Sequence, residues 1–131
     1  MTTVQIDLSI TASELCLRAA ELIKERDMCT AMLIDYEDKV CLLGAFSEIL
    51  TGKADWRGHF PTYELMGLVP SVAQIADSLP LQLLPNWHTN GWENLPVGEQ
   101  IYKWSDTVVE NYGTDTVIEE LLKLAHTLEV S

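Results

Sequence analysis

The sequence predicts a mainly α-helical protein, folded as a single compact domain of about five helices with a minor β element. Several segments repeat apolar residues every three or four positions, which is the spacing of an amphipathic helix. Two segments carry a capping box, in which Ser or Thr is followed three positions later by Glu or Gln. A chain of 131 residues has the length of one domain, so we assign residues 1–131 to it.

The N-terminal half predicts two short extended segments and two helices. Residues 4–10 alternate apolar and polar side chains, which indicates a short strand or an extended arm. Thr11 and Glu14 then form a capping box that opens a helix. Residues 30–36 predict a second strand, and a helix over about 41–51 follows it. The apolar stripe of the first helix consists of Leu15, Ala19, Leu22 and Ile23.

The C-terminal half predicts further helices around an irregular segment. Pro61 suits the first turn of a helix, and Ser71 with Gln74 forms the second capping box. Residues 81–98 contain Pro85, Pro96 and an Asn-Gly pair, so we expect this segment to be the least regular part of the chain. A helix over about 99–111 precedes the final helix, which has the most regular apolar spacing in the chain.

The charge of the chain argues against several classes of partner. With 20 acidic and 8 basic side chains the net charge is −12, and such a surface repels nucleic-acid phosphates and anionic membranes. Three cysteines at irregular spacing do not suggest a disulfide framework, which fits a reducing compartment. No apolar run reaches the ~20 residues of a membrane helix, and the N-terminus lacks the features of a leader. We therefore expect a cytoplasmic protein that binds neither nucleic acid nor membrane.

Three segments of the chain form a recognisable series: Leu17–Ile23, the Cys29…Cys41-Leu-Leu-Gly-Ala45 region, and Tyr102-Lys-Trp-Ser-Asp106 followed by residues 114–122. Together they resemble a family of small proteins from actinobacteria and their phages. The family shows a Cys, a hairpin-like gap, Cys-x-x-Gly-Ala, and then Trp-Asn-Asp before a Thr-capped last helix. Met28 and Ser105 depart from that pattern, where the family has Trp and Asn. The resemblance covers about half the chain and implies a phage or prophage context, with no established activity.

Cys41 raises the alternatives of a cysteine-dependent enzyme and of a metal site. A thiolate at a helix N-terminus can be activated, and His59 or His88 could act as its base. Against this, unbonded Cys is among the most buried residue types. The same residues with Cys29 could ligate zinc, but their spacing matches no common ligand module. We assign no catalytic residue, no metal and no cofactor, and we expect Asp106 to be a solvated helix residue.

Tryptophan-rich loops provide the leading hypothesis, which is a non-enzymatic protein that binds a host protein. Exposed Trp dominates the energetics of many interfaces. The predicted contact residues lie in the loops around 53–60 and 81–98; they are Trp56, Phe60, Trp87, His88 and Trp92. Apolar loops of this kind would also suit a homodimer. The acidic surface leaves a third hypothesis, a DNA mimic that blocks a nucleic-acid-binding protein by arraying carboxylates at the spacing of phosphates.

Overall fold

Helices make up most of the protein, and the computed structural model describes residues 4–56 and 61–129. Seven α-helices lie within these ranges, with single 3₁₀ turns at Leu81–Leu83 and Trp92–Asn94. The mainly helical prediction is confirmed, whereas the count of five was too low. The helices are α1 (Ala12–Arg26), α2 (Leu42–Thr51), α3 (Thr62–Gly67), α4 (Pro70–Ser78), α5 (Asn86–Thr89), α6 (Val97–Tyr112) and α7 (Thr114–Glu129).

The helix α2 starts inside the core and packs against α1, α3 and α6. Residues 41–47 are all buried, as expected for a helix that is apolar on every side at its start. The helix α1 lies along α7, and the Ser13 hydroxyl donates to the carbonyl of Ala125 at 2.6 Å. The helix α6 contacts α2, α3, α4 and α7. Its fully buried Trp104 donates its indole N–H to the carbonyl of Pro80 at 3.2 Å, so the polar end of this core side chain is paired.

The prediction of a minor β element is wrong for the described residues. The extended pairing there consists of isolated bridges from Val40 to Met28 and to Ile34. Three residues of this region, Asp27, Ala31 and Asp38, have positive φ angles, which interrupt an extended strand. Residues 4–10 form no strand either; Asp7 donates its N–H to the carbonyl of Leu50, and a bend follows.

The two predicted capping boxes have different outcomes. Thr11 is the N-cap of α1 and accepts the N–H of Glu14 at 3.1 Å, as predicted. The reciprocal half of this box is wrong, because the Glu14 carboxylate pairs instead with Arg18 at 2.8 Å, a half-exposed ion pair one turn along the helix. The prediction of the second box is wrong, because Ser71 lies inside α4. The helix begins at Pro70, and proline suits the first helical position.

Among the described helices, none combines the length and apolar character needed to cross a membrane.

Candidate functional site

Hydrogen bonds across its base close the loop formed by residues 27–41 (the 27–41 loop). The N–H of Cys29 donates to the carbonyl of Val40 at 3.1 Å, and the N–H of Val40 donates to the carbonyl of Asp27 at 3.2 Å. The Cys29 thiol lies within hydrogen-bonding distance of two carbonyls, Met32 at 3.3 Å and Lys39 at 3.2 Å. The first cysteine of the motif therefore holds the two arms of the loop together.

The second cysteine connects this loop to α2. Cys41 is the N-cap of α2, and its sulfur accepts the N–H of Gly44 at 3.4 Å. Its own N–H donates to the carbonyl of Leu33 at 3.2 Å. A Cβ atom added at Gly44 would lie 2.1 Å from that same carbonyl oxygen. The Cys-x-x-Gly spacing thus supplies a cap at one position and, three residues later, the space in which the loop packs against the helix.

Residues from the C-terminal half fix the loop from the other side. The Ser105 hydroxyl accepts the N–H of Leu42 at 3.1 Å, inside the core. Oδ2 of Asp106 accepts the N–H of Ala31 at 3.1 Å. The Thr114 hydroxyl donates to the carboxylate of Asp27 at 3.1 Å. The Trp-Ser-Asp motif and the start of the last helix therefore both contact the 27–41 loop or the residue that follows it.

A cavity of about 260 Å³ lies where the loop meets α2, α3 and α6. Its wall from α3 is held close to α6 by Gly98, where an added Cβ would lie 2.1 Å from the carbonyl oxygen of Tyr63. Met32 and Tyr63 are the exposed lining residues with large side chains, at 52% and 42%. The cavity is lined by Ala31, Met32, Leu33, Cys41, Leu43, Tyr63, Tyr102 and Asp106. We call it the Asp106 pocket.

Asp106 is the one carboxylate among the lining residues, and it is half-buried. Its Oδ1 atom is buried and has no hydrogen-bond partner among the described residues. Burial raises the pKa of Asp106, the N–H of Ala31 opposes that rise, and the nearby charge of Glu110 adds to it. The lining of the pocket thus includes a half-buried carboxylate, one oxygen of which has no hydrogen-bond partner among the described residues.

Tyr102 lies one helical turn before Asp106 on α6. Its hydroxyl donates to Glu99 at 3.4 Å. Burial raises the pKa of Tyr102, and the negative charge of Glu99 raises it further. The phenol is therefore protonated at neutral pH and presents a neutral aromatic ring to the pocket.

Cys41 lines the pocket but lacks the properties of a nucleophile. Burial raises the pKa of the Cys41 thiol to about 12, and the carboxylate of Asp106 adds to the effect. Its predicted partners do not meet it: His88 does not line the pocket, and His59 lies outside the described residues. Within residues 4–56 and 61–129, His, Cys, Asp and Glu side chains form no group of three or more that could hold a metal ion.

The residues of the predicted Trp surface have different environments. Trp87 is 72% exposed, and its ring lies against that of His88, with centroids 3.3 Å apart and the ring planes tilted by 35°. Trp92 is only 6% exposed and belongs to the core, so it offers almost no contact area to a partner. Trp56 is partly buried and donates its indole N–H to the Thr51 hydroxyl at 2.6 Å. Phe60 lies outside the described residues.

The pocket residues were missed because we expected Asp106 to be solvated, which is wrong. The signal available in the sequence is the four-residue spacing of Tyr102 and Asp106, which places both on one helix face. That spacing does not show that the 27–41 loop covers this face. Tyr63 and Met32 carry no comparable signal, since the sequence does not place either beside α6.

Comparisons of the chain with protein-family models, with curated proteins and with solved structures found no match.

Proposed function

We propose that the protein is a non-enzymatic binding protein that recognises a basic host protein at the mouth of the Asp106 pocket. One observation carries this proposal: Met32 and Tyr63 are both exposed, and both line a pocket together with Asp106, a carboxylate that has one buried, unpaired oxygen among the described residues. Met and Tyr are enriched at interfaces, where a central apolar contact and one specific polar group determine recognition.

The charge of the protein supports a basic partner. The net charge of −12 attracts a positively charged surface over long range and repels a negatively charged one. The resemblance to small actinobacterial and actinophage proteins is the reason for proposing a phage or prophage protein that acts in the cytoplasm of its bacterial host.

The thiols argue against the alternative of a cysteine-dependent enzyme. All three cysteines are buried, and burial raises the pKa of Cys16, like that of Cys41, to about 12. A thiol with such a pKa is almost entirely protonated at neutral pH, and the thiolate is the reactive species. DNA mimicry stays a prediction, and the same experiment tests it.

The test is affinity capture from actinobacterial lysate with three proteins: wild type, Tyr63→Ala and Trp87→Ala. Both substitutions shorten an exposed aromatic side chain, so both variants should fold, which circular dichroism and thermal unfolding verify. Each captured protein is then measured with purified components, at several salt concentrations and with duplex DNA as a competitor.

We expect a basic protein whose binding is weakened at least tenfold by Tyr63→Ala and is unchanged by Trp87→Ala. If Trp87→Ala abolished partner binding and Tyr63→Ala did not, the binding surface would be the one predicted from the sequence, and the pocket proposal would be wrong. Displacement of the partner by DNA would favour the mimic. A wild-type protein that captures nothing above a resin control would contradict the proposed function.

A further inference from the structure

We infer that the Asp106 pocket binds an organic cation, a protonated amine or a guanidinium group with an apolar stem. The inference rests on the proposed function only for one possible source of the cation, a basic side chain of the partner. A free small amine would have the same chemistry, and the experiment below separates the two sources.

The first support is the state of the Asp106 carboxylate. One oxygen accepts the N–H of Ala31, and the other is buried without a partner among the described residues. Buried polar groups in native proteins are almost always hydrogen-bonded, because an unpaired one has lost its hydration without compensation. A ligand N–H placed at this carboxylate would supply the missing partner and form a charge-assisted hydrogen bond.

The second support is the sign of the charge around the pocket. Glu110 acts on Asp106 with a like charge, and Glu99 is hydrogen-bonded to the Tyr102 hydroxyl. Lys, Arg and His are absent from the described lining residues. Lys103, on the same helix, is 3.9 Å from the carboxylate of Glu99, which offsets part of its charge. A bound cation would therefore relieve repulsion, whereas an anion would add to it.

The third support is the shape and chemistry of the walls. Leu43 is fully buried, and Met32, Tyr63 and Tyr102 add apolar and aromatic surface. Aromatic faces attract cations, and the stem of an amine gains from apolar contact. Because cavities of about 150 Å³ already hold benzene, a cavity of about 260 Å³ admits a phenyl ring with a short amine stem.

The probe is phenethylamine, and its matched neutral control is 2-phenylethanol, which replaces the ammonium group by a hydroxyl. Both are titrated into ¹⁵N-labelled wild-type protein at neutral pH, and the shift of the Ala31 amide reports occupancy beside Asp106. We expect phenethylamine to bind at least tenfold more tightly than 2-phenylethanol. Equal affinities of the two compounds would overturn the inference, because the charge would then play no part.

Two variants on α6 form a matched pair. Asp106→Asn and Glu110→Gln each remove one negative charge, but only Asp106 lines the pocket. The Asn side chain keeps an oxygen for the N–H of Ala31, which favours retention of the fold. Affinity for phenethylamine should fall at least tenfold in Asp106→Asn and less than threefold in Glu110→Gln. Equal losses would indicate a diffuse charge effect and overturn the assigned site.

A third variant tests the pocket without changing Asp106, in case Asp106→Asn does not fold. Met32→Lys introduces an ammonium group at the exposed edge of the pocket, where the residue has room to change. A tethered cation competes with the free one, so phenethylamine affinity should fall at least tenfold. Unchanged affinity would contradict the inference.

The source of the cation is tested with a second pair of probes, N-acetyl-lysine N-methylamide and its uncharged analogue N-acetyl-norleucine N-methylamide. Binding of the lysine probe alone assigns the pocket to a partner's side chain, and binding of phenethylamine alone assigns it to a free amine. Failure of both cations overturns the inference. If a host protein is still captured through Tyr63 in that case, the proposed function stands. Cation binding without any captured protein would support the cation site and contradict the proposed function.

Discussion

The carboxylate of Asp106 accepts the backbone N–H of Ala31 at 3.1 Å and so joins two residues that are 75 positions apart in the chain. Ala31 has a φ of 64°, a left-handed conformation that costs an alanine about 1 kcal/mol. The bond fixes this strained turn against α6, so that one side chain both stabilises the 27–41 loop and lines the pocket beneath it.

Gly44→Ala should destabilise the protein by about 1–3 kcal/mol, the range found for overpacked sites. The new methyl group would lie 2.1 Å from the carbonyl oxygen of Leu33, so that the 27–41 loop would have to move away from α2. Urea unfolding measures the effect. The control is Gly67→Ala, where the nearest atoms are 3.9 Å away. A Gly44→Ala protein as stable as this control would show that the contact is not required.

Ser105→Ala should lower the free energy of unfolding by about 1–3 kcal/mol. The Ser105 hydroxyl accepts the N–H of Leu42, and both groups are buried, so its removal leaves that N–H unpaired. Ser78→Ala, which removes an exposed hydroxyl bond within α4, is the control and should change stability by less than about 0.5 kcal/mol. Equal effects of the two substitutions in chemical unfolding would contradict this role of Ser105.

Trp92→Ala and Trp87→Ala should differ greatly although the residues are close in sequence. Removal of the buried Trp92 ring leaves a cavity and should cost about 3–5 kcal/mol. Removal of the exposed Trp87 ring should change the free energy of unfolding by less than about 0.5 kcal/mol. Thermal or urea unfolding of the two variants makes the comparison. A reversed order would mean that the assignment of core and surface is wrong.

Iodoacetamide should label the cysteines of the folded protein slowly at neutral pH. Burial raises the pKa of Cys16 and of Cys41 to about 12, so that little thiolate exists at neutral pH and access is limited as well. Mass spectrometry follows labelling in the native protein and in urea, where all three thiols should react. Rapid, selective labelling of native Cys41 would restore the hypothesis of a cysteine-dependent enzyme.

The stability of the protein should depend on pH through Asp106. The folded pKa of Asp106 is raised above its ordinary value of 3.8, so the folded state holds the proton more tightly than the unfolded state. The protonated carboxyl stabilises the fold fully below pH 3.8, and this stabilisation is lost as the pH rises through the folded pKa. Wild type should therefore lose stability relative to Asp106→Asn across this window in urea titrations at stepped pH. A constant difference between the two proteins would contradict the raised pKa.

Local patterns were sufficient for much of the helical structure. Nearby residues produce the periodic apolar residues of α1 and α7 and the Thr11 cap of α1, so the sequence predicts these features. The prediction of a strand near 30–36 is wrong because local preference did not decide the structure there. Its residues favour extended structure, but the loop closure by Cys29 and the left-handed turn at Ala31 override that preference.

The sequence by itself determined the amphipathic helices, the acidic net charge and the positions of the Cys-x-x-Gly and Trp-Ser-Asp motifs. Only the tertiary structure decided that these motifs meet, that Trp92 is buried while Trp87 is exposed, and that Asp106 is half-buried. The physical reason is the sequence separation over which each kind of interaction acts. Helix periodicity and capping act over three or four residues, whereas the burial of a side chain depends on which distant segment packs over it.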